Sequence, residues 1–160
     1  MILVTIGTSD PFDRLLAAVG NLRSTEEIVA QCGASTVRPH NARCVDFLAF
    51  DELTELMAAA RIVVTHAGAG SVMTALAAGK LPIAVPRLRR HGEAVDDHQL
   101  EFGRRLDSAG LLTLVEDPAE LGKAIGAARI GGLERHADGA LARDIRGFIE
   151  RRVRVQARHG

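Results

Sequence analysis

Residues 65–71 read Thr65-His66-Ala67-Gly68-Ala69-Gly70-Ser71, and they connect a short apolar run at 62–64 to a helix-compatible segment at 72–78. A strand that breaks into small residues and restarts as a helix presents free backbone N–H groups at a positive dipole end, where phosphate binds. Two glycines allow the backbone to approach an anion closely. The segment predicts a diphosphate-binding loop, with Ser71 as helix cap or hydroxyl donor. The alternative is a tight strand-to-helix turn whose glycines serve packing alone.

Outward from this loop, short apolar runs alternate with segments of helical periodicity, which is typical of a parallel sheet covered by helices on both faces. Strands are predicted at 2–6, 27–31, 45–50, 61–65, 82–85 and 111–115. Helices are predicted at 12–23, 51–60, 70–78, 98–106 and 118–128. Asp51 is the expected N-cap of the second helix, Gly79 the left-handed end of the third, and Asp96 or Asp97 the cap of the fourth.

The predicted fold class is therefore α/β, a single doubly wound parallel sheet of the Rossmann-like kind. Residues 1–130 form the predicted domain, the glycine-containing stretch 131–139 a linker, and residues 140–160 a basic amphipathic helix that packs on the same domain. Ligands of such sheets bind beyond the carboxyl ends of the strands, so the loops after strands one, four and five are expected to converge.

Composition limits the function further. The chain has 160 residues, 47% hydrophobic and 25% charged, which fits one soluble domain. A formal net charge of +0 argues against nucleic-acid binding, and 3% aromatic residues without Trp or Tyr argues against stacking on bases. The two cysteines, Cys32 and Cys44, lack metal-ligand spacing and are expected to be reduced thiols. No leader is recognised at the N-terminus, so a cytoplasmic location is expected.

A second candidate segment, Gly7-Thr8-Ser9, follows the first predicted strand. Its glycine permits close approach to a phosphate or an acceptor, and its hydroxyls can donate. An ordinary turn, with Ser9 or Asp10 capping the next helix, explains it equally well. Neither glycine segment has the Walker pattern or the dinucleotide fingerprint.

The third candidate segment spans residues 86–99, after the fifth predicted strand. Its cations suit phosphate oxygens and its polar side chains suit sugar hydroxyls. The cations are Arg87, Arg89, Arg90 and His91, and the sugar-facing candidates are Glu93, Asp96, Asp97, His98 and Gln99. A solvated polar loop with one capping Asp is the alternative. The arginine-rich last twenty residues are interpreted as a solvated helix end, or as a contact with acidic lipid headgroups or a partner.

Together the three segments resemble the C-terminal, donor-binding domain of family 28 glycosyltransferases, which is half of a GT-B fold. The likeness extends to small free-standing catalytic subunits, as in dolichol-linked N-acetylglucosamine transfer and in bacterial exopolysaccharide or capsule synthesis. The resemblance implies a UDP-sugar donor, no cofactor and no required metal. It implies diphosphate contacts from Gly7, Thr8, His66, Gly68, Ala69, Gly70 and Ser71, and donor-sugar contacts from Arg87, Glu93, Asp97, His98 and Gln99.

One position departs from that family. Many relatives carry a Glu in the helix after the glycine loop to bind ribose, and the matching residue here is Thr74. Weaker ribose binding is therefore expected. Capsule-type relatives often lack that acid as well, so the departure points to this subgroup of the family.

The resemblance further implies inverting displacement at the anomeric carbon, with a general base from the acceptor side. Because GT-B enzymes bind the acceptor with an N-terminal domain, a separate membrane-anchored subunit is expected to supply the lipid-linked saccharide acceptor. The chain is then expected to be peripheral at the inner face of the membrane through that partner. The alternatives are a non-catalytic nucleotide-sugar-binding or partner-binding module, and a UDP-N-acetylglucosamine 2-epimerase, against which the length of 160 residues counts.

Overall fold

A computed structural model describes residues 1–128 and Gly147, and within them the chain forms one six-stranded parallel sheet with helices on both faces. The strands are β1 (Ile2–Thr5), β2 (Ile28–Gln31), β3 (Arg43–Val45), β4 (Ile62–His66), β5 (Ile83–Val85) and β6 (Thr113–Leu114). The helices are α1 (Asp13–Gly20), α2 (Phe50–Ala59), α3 (Ala69–Ala77), α4 (His98–Ser108) and α5 (Leu121–Ala127). Single 3-10 turns cover Arg89–His91 and Pro118–Glu120. The predicted α/β fold class is confirmed.

Successive residues of the central strand β1 face opposite layers of the domain. Val4 packs in a cluster with Leu16 of α1, whereas Leu3 packs in a separate cluster with Met57 of α2 and Ala75 of α3. Every residue of β1 is buried. A strand covered on both faces must be apolar on both sides, which is why its sequence is continuous rather than alternating.

The strand order places the functional edge at the middle of the sheet. The order is β3-β2-β1-β4-β5-β6, so the chain winds outward from β1 in one direction and from β4 in the other. The register pairs Thr5 of β1 with Thr65 of β4, so these two strands end side by side. The switch point of a doubly wound sheet is where a crevice opens beyond the strands, and the loops after β1 and β4 lie there.

The predicted strand 45–50 is wrong, and β3 ends at Val45 instead. Phe47 and Phe50, the two aromatic residues of that predicted strand, are 68% and 61% exposed. Helix α2 begins at Phe50, and Asp51 therefore lies in its first turn instead of capping it. The residue at the N-cap is Ala49, which makes no side-chain cap hydrogen bond.

Other boundaries move by a few residues. Gly79 follows α3 with φ +74°, the left-handed conformation predicted for it. The strand predicted at 111–115 pairs only over Thr113–Leu114, and the helix predicted from residue 118 begins as a 3-10 turn before α5. The predicted linker 131–139 and, apart from Gly147, the predicted helix 140–160 lie outside the described residues.

Candidate functional site

The loops after β1, β4 and β5 meet at the carboxyl edge of the sheet, as the strand order requires. Arg87 follows β5 directly, and its Nη2 donates to the carbonyl oxygens of Ile6 and Asp10, each at 2.7 Å. Gly7 begins the loop after β1, and a Cβ built on it would lie 3.0 Å from Cε1 of His66. The convergence expected from the sequence is therefore present in the structure.

His66, the last residue of β4, lies between two glycines. A Cβ built on Gly68 would overlap the imidazole at Nε2 and at Cδ2, 2.7 Å away, and one on Gly7 would touch the same ring at Cε1 and Nε2. Gly7 also has φ +78°, a conformation that side-chain-bearing residues rarely adopt. Both glycines are thus required by the packing of His66, a role that the phosphate interpretation of the sequence did not foresee.

The amino end of α3 lies beside that imidazole. Gly68 occupies the N-cap position with extended backbone, and no side chain caps the helix. Ala69 and Gly70 are exposed, and beyond its own helix a Cβ on Gly70 would meet no atom of residues 1–128 within 4 Å. Since the first N–H groups of a helix have no intrahelical acceptor, this end offers open donors to an anion. Ser71 lies inside the first turn, which excludes the capping role and leaves hydroxyl donation as its predicted one.

Burial sets the protonation state of His66. Burial, together with the positive charge of Arg87, lowers the pKa of the imidazole to about 4. Nδ1 is buried and makes no hydrogen bond within residues 1–128. Near neutral pH the imidazole of His66 is therefore uncharged. It can contribute a hydrogen bond and a fixed wall to the site, but no positive charge.

Arg87, predicted to contact the donor, lies under the loops instead. It is 5% exposed, its guanidinium carbon lies 5.0 Å from the centre of the Phe12 ring, and its backbone N–H donates to Oε1 of Gln99 at 3.1 Å. Burial lowers its pKa, against the opposing effect of the Asp10 and Glu93 carboxylates. Arg87 holds the loop after β1, and Gln99 holds Arg87.

Glu93, also predicted to face the sugar, is half-buried and occupied within the protein. It binds Arg14 of α1 through both carboxylate oxygens, at 2.7 and 2.8 Å, and accepts from the Leu88 N–H at 3.0 Å. Burial alone would raise the pKa of this carboxyl, but the hydrogen bonds from Arg14 and Leu88 outweigh it and lower the pKa. Its carboxylate organises the segment rather than pointing out of it.

The solvent-facing groups of the third segment come later in the chain. Asp97 stands at the N-cap position of α4, but its carboxylate accepts from the Arg89 N–H at 2.9 Å. The side chain of His98 is 66% exposed, and its Nδ1 bonds to the carboxylate of Asp96. Arg89, Arg90 and His91 are exposed on the 3-10 turn. The exposed side chains of His98, Arg89 and Arg90 are therefore accessible to a ligand.

Thr74, predicted to match the family's ribose-binding acid, lies one turn into α3. Its Oγ1 donates to the Gly70 carbonyl oxygen at 2.8 Å. This local bond uses the hydroxyl's proton, so Thr74 offers a ligand only acceptor capacity.

Arg14 was missed by the sequence analysis, because it occupied an ordinary polar position of an amphipathic helix. Phe47, Phe50 and Val95 were missed as surface residues; they are the exposed large hydrophobic side chains of the described part of the chain. Phe47 and Phe50 follow β3, and Val95 lies between β5 and α4, so all three belong to the carboxyl side of the sheet. Single apolar residues within polar connections were the available signal.

Two negative findings apply to residues 1–128 and Gly147. They contain no group of three or more His, Cys, Asp or Glu side chains able to hold a metal ion. Nor do they contain a helix of the length and apolarity needed to cross a membrane. Cys32 is buried and Cys44 half-buried, both as free thiols, and burial raises the pKa of Cys32 to about 12.

Comparison with known proteins adds a family. The model of the glycosyltransferase family 28 C-terminal domain matches residues 1–138. The UDP-N-acetylglucosamine transferase subunit ALG13 of Yarrowia lipolytica is 30% identical over 122 residues, which cover 66% of this chain and 60% of that protein. ALG13 of Homo sapiens is 32% identical over 124 residues, 69% of this chain and 10% of that protein. The match thus covers less than two thirds of the length of each of these relatives.

Solved structures share the fold. The calicheamicin glycosyltransferase CalG4 superposes with a TM-score of 0.57 at 20% identity, over 94% of this chain and 38% of that one. MurG of Acinetobacter baumannii superposes with a TM-score of 0.52 at 21% identity, over 77% of this chain and 40% of that one. Each similarity covers one part of a longer glycosyltransferase and supports the Rossmann-like fold of this chain.

Proposed function

Because this chain belongs to the glycosyltransferase family 28 C-terminal domain family, we propose that it is the donor-binding, catalytic subunit of a UDP-sugar-dependent glycosyltransferase. The observation that carries the proposal is the seating of His66 between Gly7 and Gly68 at the uncapped amino end of α3. That arrangement supplies backbone N–H donors, a neutral imidazole and an open surface over Gly70, which together suit a diphosphate.

In the proposed reaction, the acceptor hydroxyl displaces UDP at the anomeric carbon with inversion. The bond between that carbon and the diphosphate oxygen breaks, and the negative charge that develops on the diphosphate is stabilised by the N–H groups of Ala69, Gly70 and Ser71. The uncharged His66 adds one N–H hydrogen bond to the diphosphate. The general base that takes the acceptor's proton belongs to the acceptor side, and no metal is assigned a role.

The acceptor side is proposed to be a separate, membrane-anchored subunit that presents a lipid-linked saccharide for polysaccharide synthesis. Two observations support a partner. The relatives are named as transferase subunits, and the exposed side chains of Phe47, Phe50 and Val95 belong to the carboxyl side of the sheet, where the donor is proposed to bind. In this arrangement the chain acts at the cytoplasmic face of the membrane. Full-rate transfer to a lipid-linked acceptor by the isolated chain would contradict the requirement for a separate acceptor subunit.

The test of donor binding is titration calorimetry with UDP. A Gly70→Ala variant adds a methyl group on the open surface of α3, and Gly126→Ala does the same in α5. Apart from each glycine's own helix backbone and chain neighbours, no atom of the described residues lies within 4 Å of either methyl group. Each alanine is expected to stabilise its helix by about 0.5–1 kcal/mol. Only Gly70→Ala is expected to lower the affinity for UDP, by about tenfold, because only its methyl group lies where the diphosphate is proposed to bind.

His66→Ala removes the polar contact of the imidazole and is also expected to lower the affinity for UDP. A parent chain that binds no UDP, even in the presence of its partner, would refute the proposal. A complex that binds UDP but releases none from any UDP-sugar would support the alternative of a non-catalytic nucleotide-binding module.

A further inference from the structure

The Arg14–Glu93 ion pair joins helix α1 to the segment between β5 and α4. Nε of Arg14 lies 2.7 Å from Oε1 of Glu93, and Nη2 lies 2.8 Å from Oε2. The two side chains are 22% and 10% exposed, so this is a two-pronged pair largely shielded from water.

Glu93 also closes a small ring around the 3-10 turn. Its carboxylate accepts from the Leu88 N–H at 3.0 Å, and its own N–H donates to the Leu88 carbonyl oxygen at 3.3 Å. The turn Arg89–His91, with its exposed cations, is held between these two contacts.

Arg14 anchors that ring to the rest of the domain. Nη2 donates to the Pro86 carbonyl oxygen at 2.9 Å, and Nη1 lies 3.5 Å from the carbonyl oxygen of Glu116. One guanidinium therefore contacts the start of the segment at Pro86, its later part at Glu93, and the chain just after β6.

Stability alone is a weak reason for such a pair, because well-packed apolar residues stabilise a fold at least as well as a shielded ion pair. The pair instead contributes conformational specificity. Its two-pronged geometry selects one conformation of residues 86–97, whose regular structure is a single 3-10 turn. That segment leads directly into Asp97 and His98.

We propose that Arg14 and Glu93 are positioning residues which set residues 86–97 in the pose that receives the sugar of the donor, without touching it themselves. The inference rests on the proposed function, and it assigns Glu93 a role different from direct sugar contact. The UDP portion is bound by the glycine loop of β4–α3, so the pair governs the sugar's share of affinity.

The full chain tests this in two measurements. Glu93→Gln keeps the shape of the side chain but removes its charge. The matched control is Arg104→Gln, which breaks the exposed two-pronged pair of Arg104 with Glu116 at 2.8 and 2.9 Å. Amide hydrogen exchange of peptides from residues 86–97 reports the pose, and calorimetry with UDP and with UDP-N-acetylglucosamine reports binding.

Glu93→Gln is expected to speed exchange in residues 86–97 about tenfold, with peptides of β1 and β4 unchanged, and to lower the affinity for UDP-N-acetylglucosamine relative to UDP by about tenfold. Arg104→Gln is expected to change neither quantity. The reciprocal variant Arg14→Glu/Glu93→Arg is expected to restore part of the protection.

Unchanged exchange in residues 86–97, or an unchanged ratio of the two affinities, overturns the inference. If Glu93→Gln does not fold, Arg14→Lys, which keeps the charge and loses the fork, is judged by the same two criteria. A parent chain that binds neither ligand refutes the proposed function instead. The exchange rates of residues 86–97 in Glu93→Gln are measured without ligand, so they still test the positioning role separately.

Discussion

The imidazole of His66 lies so close to the backbone of Gly68 that a single methyl group there would overlap it, 2.7 Å from Cδ2. Glycine at position 68 is therefore a condition for the position of the histidine. Its backbone, with φ −81° and ψ 134°, is open to any residue, so the constraint comes from the ring alone.

Gly68→Ala is accordingly expected to displace His66 without unfolding the chain. Overpacking of this kind costs about 1–3 kcal/mol, and the lower end applies because a side chain gives way rather than backbone. UDP affinity is expected to fall about tenfold or more. Urea denaturation and calorimetry on Gly68→Ala and Gly126→Ala separate the two effects. Undiminished UDP binding by Gly68→Ala would show that the ring's position is irrelevant to the ligand.

The low pKa of His66 predicts a pH dependence of stability. Its pKa is about 4 in the folded chain, against an unfolded value near 6.5. Between these values the unfolded state binds the proton and the folded state does not, so stability falls as the pH drops from about 6.5 towards 4. At pH 5 the loss from this group is about 2 kcal/mol.

The measurement is the free energy of unfolding of the parent and of His66→Gln at pH 7 and pH 5. The variant is expected to lose less stability on acidification, by about that amount. Equal losses would show that residue 66 takes up its proton equally in both states. UDP binding between pH 6 and 8 is expected to show no titration from His66.

Arg87 is predicted to act through the backbone it holds. Arg87→Met leaves the carbonyl oxygens of Ile6 and Asp10 without their donor, which costs about 1–3 kcal/mol for a buried acceptor. Arg89→Met removes an exposed side chain and is expected to stay within about 0.5 kcal/mol of the parent. Urea midpoints of the two variants check this. Equal stability of the two would contradict the assigned role.

Thr74→Glu is predicted to add a contact to the ribose of a bound nucleotide. A carboxylate one turn into α3 can accept from ribose hydroxyls, and the affinity for UDP is expected to rise about tenfold. The gain is expected to shrink with 2′-deoxy-UDP. The control is Thr54→Glu, at a threonine of α2 whose Oγ1 donates to the Asp51 carbonyl oxygen at 2.8 Å. Equal gains with both nucleotides would place the ribose elsewhere.

The sequence predicted the sheet well because its strands are short, apolar and separated by strong turn residues. It failed at β3, since Phe47 and Phe50 have the composition of a strand and only the tertiary structure exposes them. It also missed the cap of α2, where an acidic residue in the first turn has the same sequence signature as an N-cap.

The glycine loop of the site was predictable from the sequence, whereas the roles of Arg87 and Glu93 were not. A glycine-rich strand-to-helix turn is local, so residues 65–71 could be recognised from sequence alone. The partners of Arg87 and Glu93 are not local: Arg87 bonds to residues 6 and 10, and Glu93 to residue 14. Composition marked both as ligand contacts because charged side chains in a loop look alike whether they face solvent or the fold.

Two guanidinium groups contact the ring of Phe12. Cζ of Arg14 lies 5.4 Å and Cζ of Arg87 lies 5.0 Å from the ring centre. One of them holds the connection after β5 and the other holds the connection after β1. A chimera that imports residues 86–97 from a relative would arrive without the helix that aims them. Exchanging donor preference between such proteins therefore requires transplanting residues 12–14 together with the loop.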